Sequence, residues 1–140
     1  MKITILLSAG KIHNKTMWVE IFNNNTFVKK ISEWSDEPTR VDIDTNLPCS
    51  IEFKVDGKHK FDTITDENGK IVADKFIKVE AISIDGKWVN QWMLEGKLLT
   101  FIPNDRQELV TNYFGSNGVG KFSIPFDDLL EFWLTTLIHD

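Results

Sequence analysis

Cysteine, proline and basic charge are all scarce in this chain, and each shortage removes a class of protein. The single cysteine, Cys49, rules out an internal disulfide and any zinc site built from several thiolates. The three histidines, His13, His59 and His139, show no ligand-like spacing. Lysine and arginine number 16 against 21 acidic residues, for a net charge of −5. A nucleic-acid binder resting on phosphate contacts needs a basic face, so no nucleic-acid partner is expected. The early apolar run from Ile3 to Leu7 is shorter than the ~7–15 residues of a signal-peptide core. No run approaches the ~20 apolar residues of a membrane span. We therefore expect no membrane partner, and a protein kept or assembled in a reducing cytoplasm. The 140 residues suit one domain with a substantial core.

What is present is strand grammar. Met17 to Phe22 alternates, with Val19 and Ile21 on one side and Trp18, Glu20 and Phe22 on the other. Val41 and Ile43, then Ile51, Phe53 and Val55, repeat the period of two that marks a half-buried strand. Asn23-Asn24-Asn25, Asp56-Gly57, Asn68-Gly69 and Asp85-Gly86 are turn signals. After Asp56-Gly57 a partner strand is expected over Lys58 to Asp62. In "DKFIKVEAISIDG" the apolar parity changes between Val79 and Ile82, which requires an extra residue, so a β-bulge is expected near Ala81. A strand from Lys87 to Leu94 would place Trp88, Asn90 and Trp92 on one face. About nine short strands with regular turns imply a mainly β fold, an antiparallel β-sandwich or jelly roll.

The period changes after Pro125. Phe126, Leu129, Leu130, Trp133, Leu134 and Leu137 fall on one helical stripe, widened by Phe132 and Ile138. This predicts one short C-terminal helix over about 126–138, with Asp127 and Asp128 in its first turn, where negative charge complements the helix dipole. The whole of 1–140 then forms a single sandwich domain.

Several motifs invite a chemical reading and fail on context. "GSNGVGKF", Gly115 to Phe122, resembles a phosphate-binding loop, yet Phe122 stands where Ser or Thr should follow the lysine, and the next residues continue as a strand. "ITDENGK" resembles a calcium loop, but aligning Gly69 with the invariant glycine puts Ile64 and Lys75 at the terminal ligand positions. A looser calcium site between sandwich loops would draw on Asp62, Asp66, Asp74 and Asp85, although Asp belongs in turns anyway. The pairs Asp42 with Asp44 and Asp127 with Asp128 lack a neighbouring histidine or arginine, and no nucleophile sits in a recognisable turn. No catalytic residues are assigned, and the chain is expected not to be an enzyme. Five tryptophans are many for this length. Trp88, Trp92, Tyr113, Phe132 and Trp133 are the candidate binding residues, either as core, as the centre of a protein interface, or as sugar-stacking rings.

Two resemblances accompany these residues. "DKFIKVEAISIDGKWVNQWML" and "FIPNDRQELVTNYFGSNGVGKFSIPF" resemble a group of small proteins frequent in phages of marine bacteria, over Asp74 to Gly86, Tyr113 to Gly118 and Phe122 to Trp133. This implies a phage origin and a non-catalytic β-sandwich. The same strand is loosely similar to one in calcium-dependent xylan-binding modules, which are jelly rolls.

The first expectation is therefore a non-enzymatic virion-associated protein: a capsid decoration, neck or tail accessory assembled in the host cytoplasm. It would bind other virion proteins, with a homo-oligomer of its own copies as a further expectation, through an aromatic-centred patch. The alternative is a carbohydrate-binding module for host-surface attachment, with calcium as its one candidate cofactor and a glycan as partner. A third class is a small enzyme or an inhibitor of a host protein.

Overall fold

Alternating burial along the strands gives two antiparallel sheets whose inner faces meet. The computed structural model describes residues 1–59 and 62–137. In chain order the strands are β1 Lys2–Ala9, β2 Trp18–Asn23, β3 Thr26–Ile31, β4 Thr39–Asp44, β5 Cys49–Asp56, β6 Thr63–Thr65, β7 Ile71–Asp74, β8 Ile77–Ile84, β9 Lys87–Trp88, β10 Leu99–Pro103, β11 Leu109–Val110, β12 Tyr113–Phe114 and β13 Gly118–Ile124. Between β9 and β10 lie a short helix, α1, Gln91–Met93, and a π-helical turn, Leu94–Leu98; α2, Leu129–Leu137, follows β13. The first sheet has the order β12-β8-β1-β4, with β9 also paired to β8. The second has the order β11-β10-β13-β5-β2-β3, and β6-β7 form a separate hairpin.

The core lies between the sheets. Ile3, Ile5 and Leu7 of β1, with Ile77, Val79 and Ile82 of β8, face Ile21, Ile51, Phe53, Phe101 and Phe122 of the second sheet, all fully buried. Each such side chain stabilises the fold by roughly 1.5–3 kcal/mol. Phe114 joins the layers. It pairs with Ile77 in the first sheet, and its ring stacks on Phe101 of the second with centroids 4.7 Å apart. One edge strand of each sheet carries charge: Lys29 and Lys30 on β3, Arg40, Asp42 and Asp44 on β4. Charged edges oppose strand addition.

The sandwich, the Asn24-Asn25 and Asp85-Gly86 turns with positive φ, and the bulge all match the sequence expectations. β1 pairs Leu6 with Ala81 and Leu7 with Val79, so Glu80 is the extra residue. Other expectations are corrected. β5 already has β2 and β13 on its two sides, so no partner strand can follow Asp56-Gly57. Lys58, His59 and Asp62 are not strand, and Lys60 and Phe61 lie outside the described residues. The strand expected through Leu94 stops at Trp88, because Met93 and Leu94 turn inward into the core. The C-terminal helix begins at Leu129, not 126. Asp127 and Asp128 precede it, and Asp128 caps it by accepting the Leu130 N–H at 2.7 Å. Ile138 and His139 lie outside the described residues. The buried face of α2 is rotated from the expected stripe: Phe132 is buried against Phe122, whereas Leu130 and Leu134 are exposed.

Two glycines of "GSNGVGKF" serve packing within a strand. Gly118 and Gly120 lie inside β13 between β10 and β5, and a Cβ on Gly120 would lie 2.5 Å from Cζ of Phe114. Gly120→Ala should therefore lower stability by about 1–3 kcal/mol, as overpacking does. Gly96→Ala, with no atom within 4 Å of its new Cβ, should be neutral or slightly stabilising. Urea unfolding of both variants checks this; equal midpoints would show that Phe114 yields to the methyl group.

Candidate functional site

The two ends of the sandwich differ in chemistry. At one end, where β5, β7 and β12 terminate, side chains are committed to one another. Asp74, the last residue of β7, accepts hydrogen bonds from Lys58 Nζ at 2.6 Å, Thr63 Oγ1 at 2.7 Å and Tyr113 Oη at 2.6 Å. The alternation that sends Phe114 inward sends Tyr113 outward to reach this carboxylate. Lys58 Nζ also donates to the Gly115 carbonyl at 2.5 Å. Asn117 closes the loop from both directions, accepting the Lys58 N–H at 2.9 Å and donating to the Lys58 carbonyl at 3.0 Å. Beside this group, Lys75, only 4% exposed, donates to Asp62 at 2.8 Å and to the Gly57 carbonyl at 3.2 Å. Asp62 also accepts the His59 N–H at 2.8 Å. Clefts of about 440 and 460 Å³ open here and share Lys58, Thr63, Arg106, Gly115 and Ser116.

These contacts displace the titrations. Hydrogen bonding by Lys75 and by the His59 N–H holds Asp62 below the ordinary carboxylate range. Burial pushes Asp74 up, but hydrogen bonds from Lys58, Tyr113 and Thr63, with the Lys58 charge, outweigh it and leave the carboxyl lowered. Burial, then the hydrogen bond to Asp74 and its negative charge, raise Tyr113 well above an ordinary phenol.

The opposite end holds a smaller and more apolar cleft. The Asp85-Gly86 turn returns β9 along β8, pairing Trp88 with Ser83. α2 crosses the mouth of the sandwich, and its Trp133 comes beside β9, with Lys87 Nζ 4.4 Å above the Trp133 ring centroid. Lys87, Trp88, Val89, Asn90, Met93, Trp133 and Thr136 enclose a cleft of about 230 Å³. Trp88 is 52% exposed, and Asn90 is exposed with no side-chain cap hydrogen bond.

The five candidate aromatics therefore divide. Trp88 and Trp133 meet in one cleft; Trp92 is 46% exposed on α1 and does not line it; Phe132 is core; Tyr113 stands at the other end. The expected shared face of Trp88, Asn90 and Trp92 does not form, because the chain turns helical at Gln91. The four calcium candidates divide too. Asp62 and Asp74 are ion-paired with lysines. Asp66 accepts the N–H groups of Asn68 and Lys70 in the β6-β7 turn, and Asp85, at the far end, accepts the Lys2 N–H. Among the described residues no group of three or more His, Cys, Asp or Glu could hold a metal ion. Lys58, Thr63, Lys75 and Asn117 escaped sequence reasoning as site residues, and Asn90 was placed on a strand face with Trp88 but given no role. Lys75 and Asn117 sit within the "DK" and "YFGSNG" segments, but nothing local marks pairs formed across 13 to 59 positions.

The fold is similar to two solved carbohydrate-binding structures. One is vCBM60 in complex with galactobiose, at 14% identity and a TM-score of 0.53, covering 88% of this chain and 98% of that one. The other is the selenomethionine form of vCBM60, from work linking two families of calcium-dependent carbohydrate-binding modules by circular permutation. It shows 14% identity and a TM-score of 0.55 over 87% of this chain and 89% of that one. At this identity the likeness is one of fold. No family profile and no curated protein matches the sequence.

Two pH measurements follow. Tyr113 is the one tyrosine of the chain, so phenolate absorbance reports it alone. Its ionisation should come well above the ordinary value of about 10 and move down towards it in Asp74→Asn; an unshifted wild-type titration would contradict the hydrogen bond. Asp62 and Asp74 are depressed below their unfolded value of about 3.9, so their contribution is whole above that pH and disappears as pH falls through the folded values. Urea midpoints should therefore hold down to about pH 4 and drop below it, with a smaller drop in Asp74→Asn.

Proposed function

We propose that this protein is a non-enzymatic glycan-binding β-sandwich that receives a sugar in the Trp88–Trp133 cleft. The carrying observation is the cleft itself, whose lining includes the exposed indole of Trp88, the indole of Trp133 and the exposed amide of Asn90. A sugar ring presents C–H groups on its face and hydroxyls on its rim. The face stacks on an indole, and the rim takes hydrogen bonds from an amide and an ammonium group. Lys87 lies over the Trp133 ring, so Trp88 offers the open stacking face. The volume, about 230 Å³, is below the roughly 300–1,000 Å³ of drug-sized pockets and suits a terminal sugar unit better than a long chain segment. The likeness of fold to carbohydrate-binding modules, one of them holding galactobiose, supports the same reading.

This reading takes precedence over attachment to a virion by protein contact, which the phage resemblance suggested and to which the structural likenesses add nothing. One observation keeps protein contact as a second reading: Leu130 and Leu134, one turn apart on α2, are both exposed. The two are compatible if α2 docks the module on a phage particle and the neighbouring cleft meets the host surface. Mass spectrometry of purified particles tests the docking.

A broad glycan array that includes galactobiose tests the glycan reading. Calorimetry with any bound sugar should show a loss of about tenfold or more in Trp88→Ala, equivalent to about 1.4 kcal/mol, and no loss in Tyr113→Phe at the opposite end. No binding across the array contradicts the reading; equal binding by Trp88→Ala moves the site elsewhere.

A further inference from the structure

Both structural neighbours are vCBM60, and the second is placed among calcium-dependent modules, so the surroundings of Asp62, Asp66, Asp74 and Asp85 bear on whether this chain can hold calcium. Calcium takes 6–8 oxygen ligands at 2.3–2.6 Å, from carboxylates and carbonyls. Asp74 and the Gly115 carbonyl form such a pair of oxygens, and Asp62 with the Gly57 carbonyl forms another. An ammonium group already stands in each. Lys58 Nζ is 2.6 Å from Asp74 Oδ1 and 2.5 Å from Gly115 O. Lys75 Nζ is 2.8 Å from Asp62 Oδ2 and 3.2 Å from Gly57 O. The remaining neighbours of these carboxylates are donors, whose hydrogens point at the oxygens: Thr63 and Tyr113 hydroxyls on Asp74, and the His59 N–H on Asp62. A divalent cation would have to displace a positive charge and turn these hydrogens away. Asp66 and Asp85 also face backbone N–H groups. Among the described residues these carboxylates do not fit calcium, and no group of three or more His, Cys, Asp or Glu gathers to hold it.

We infer that this chain closes the loop end of its sandwich with the ammonium groups of Lys58 and Lys75 in the place of a divalent cation, so that it folds, and binds its ligand, without calcium. The two ammonium groups supply what a cation would supply there. Each neutralises a carboxylate brought in by the β6-β7 region and ties it to a carbonyl next to β5 or β12. Lys75 is nearly completely buried, with 5% of its side chain exposed, which a lysine adopts only when its charge is matched. The depressed carboxyls of Asp62 and Asp74 agree with matched charges. The statement about ligand binding rests on the glycan reading above; the statement about folding does not.

The test is thermal unfolding and calcium calorimetry on the full chain, first stripped with EDTA and then given millimolar calcium chloride. The wild-type Tm should agree within about 1 °C between the two conditions, and calcium should give no saturable heat. A saturable heat, or a Tm several degrees higher in calcium, overturns the inference. Lys75→Met and Lys58→Met should each lower Tm, while Lys121→Met, on the exposed face of β13, should not; an unchanged Tm in both pair variants also overturns it. Any sugar found on the array should bind equally in EDTA, and loss of binding in EDTA contradicts the second half. An array with no hits removes the glycan reading and leaves the calcium result standing.

Discussion

Asp74 is one carboxylate with three donors, and the loop end of the sandwich hangs on it. Lys58 reaches it from the exit of β5 in the second sheet, Thr63 from the start of β6, and Tyr113 from β12 in the first sheet. Residues far apart in sequence are thereby held to one point. Only about a tenth of either the Lys58 or the Asp74 side chain is exposed. In such surroundings a lone charge is costly, and removal of one partner from a buried pair typically costs about 3–5 kcal/mol. The Asn117 amide, bonded twice to the Lys58 backbone, fixes the position from which the lysine reaches.

This commitment is why the proposed ligand site lies at the other end. At the Asp74 end Lys58, Lys75, Thr63, Tyr113 and Asn117 are engaged with Asp62, Asp74 and backbone groups rather than left to a ligand. The other end is governed by packing. α2 lays Phe132 against Phe122 to seal the core and leaves Trp133 at the rim, where it meets Trp88. One end thus supplies rigidity through matched charge, and the other supplies aromatic surface with an exposed amide.

The strands were legible because each has one buried face, and that imposes a period of two on Val19 and Ile21, on Val41 and Ile43, and on Ile51, Phe53 and Val55. The bulge was legible for the same reason, since a change of parity needs an extra residue, found at Glu80. What was not legible depends on pairing at a distance. The sequence around Asp62 and Asp74 reads as turn residues that could equally meet a cation, and only the fold brings Lys75 and Lys58 to them. Trp88 and Trp92 shared a parity that would have put them on one strand face. The demand for Met93 and Leu94 in the core turned the chain helical and separated them. The stripe on α2 was visible, but its phase depends on what Phe132 meets across the core.

The most direct measurement is a two-dimensional NMR titration of the tryptophan indole N–H signals with whichever sugar binds, carried out in EDTA. The five tryptophans give resolvable probes spread over the molecule, from Trp18 and Trp34 near β2 to Trp88 and Trp133 at the α2 end. Saturable shifts confined to Trp88 and Trp133, undiminished by the chelator, are the predicted result. Shifts centred on Trp18, beside the Lys75–Asp62 end, or shifts that vanish in EDTA, would contradict the account.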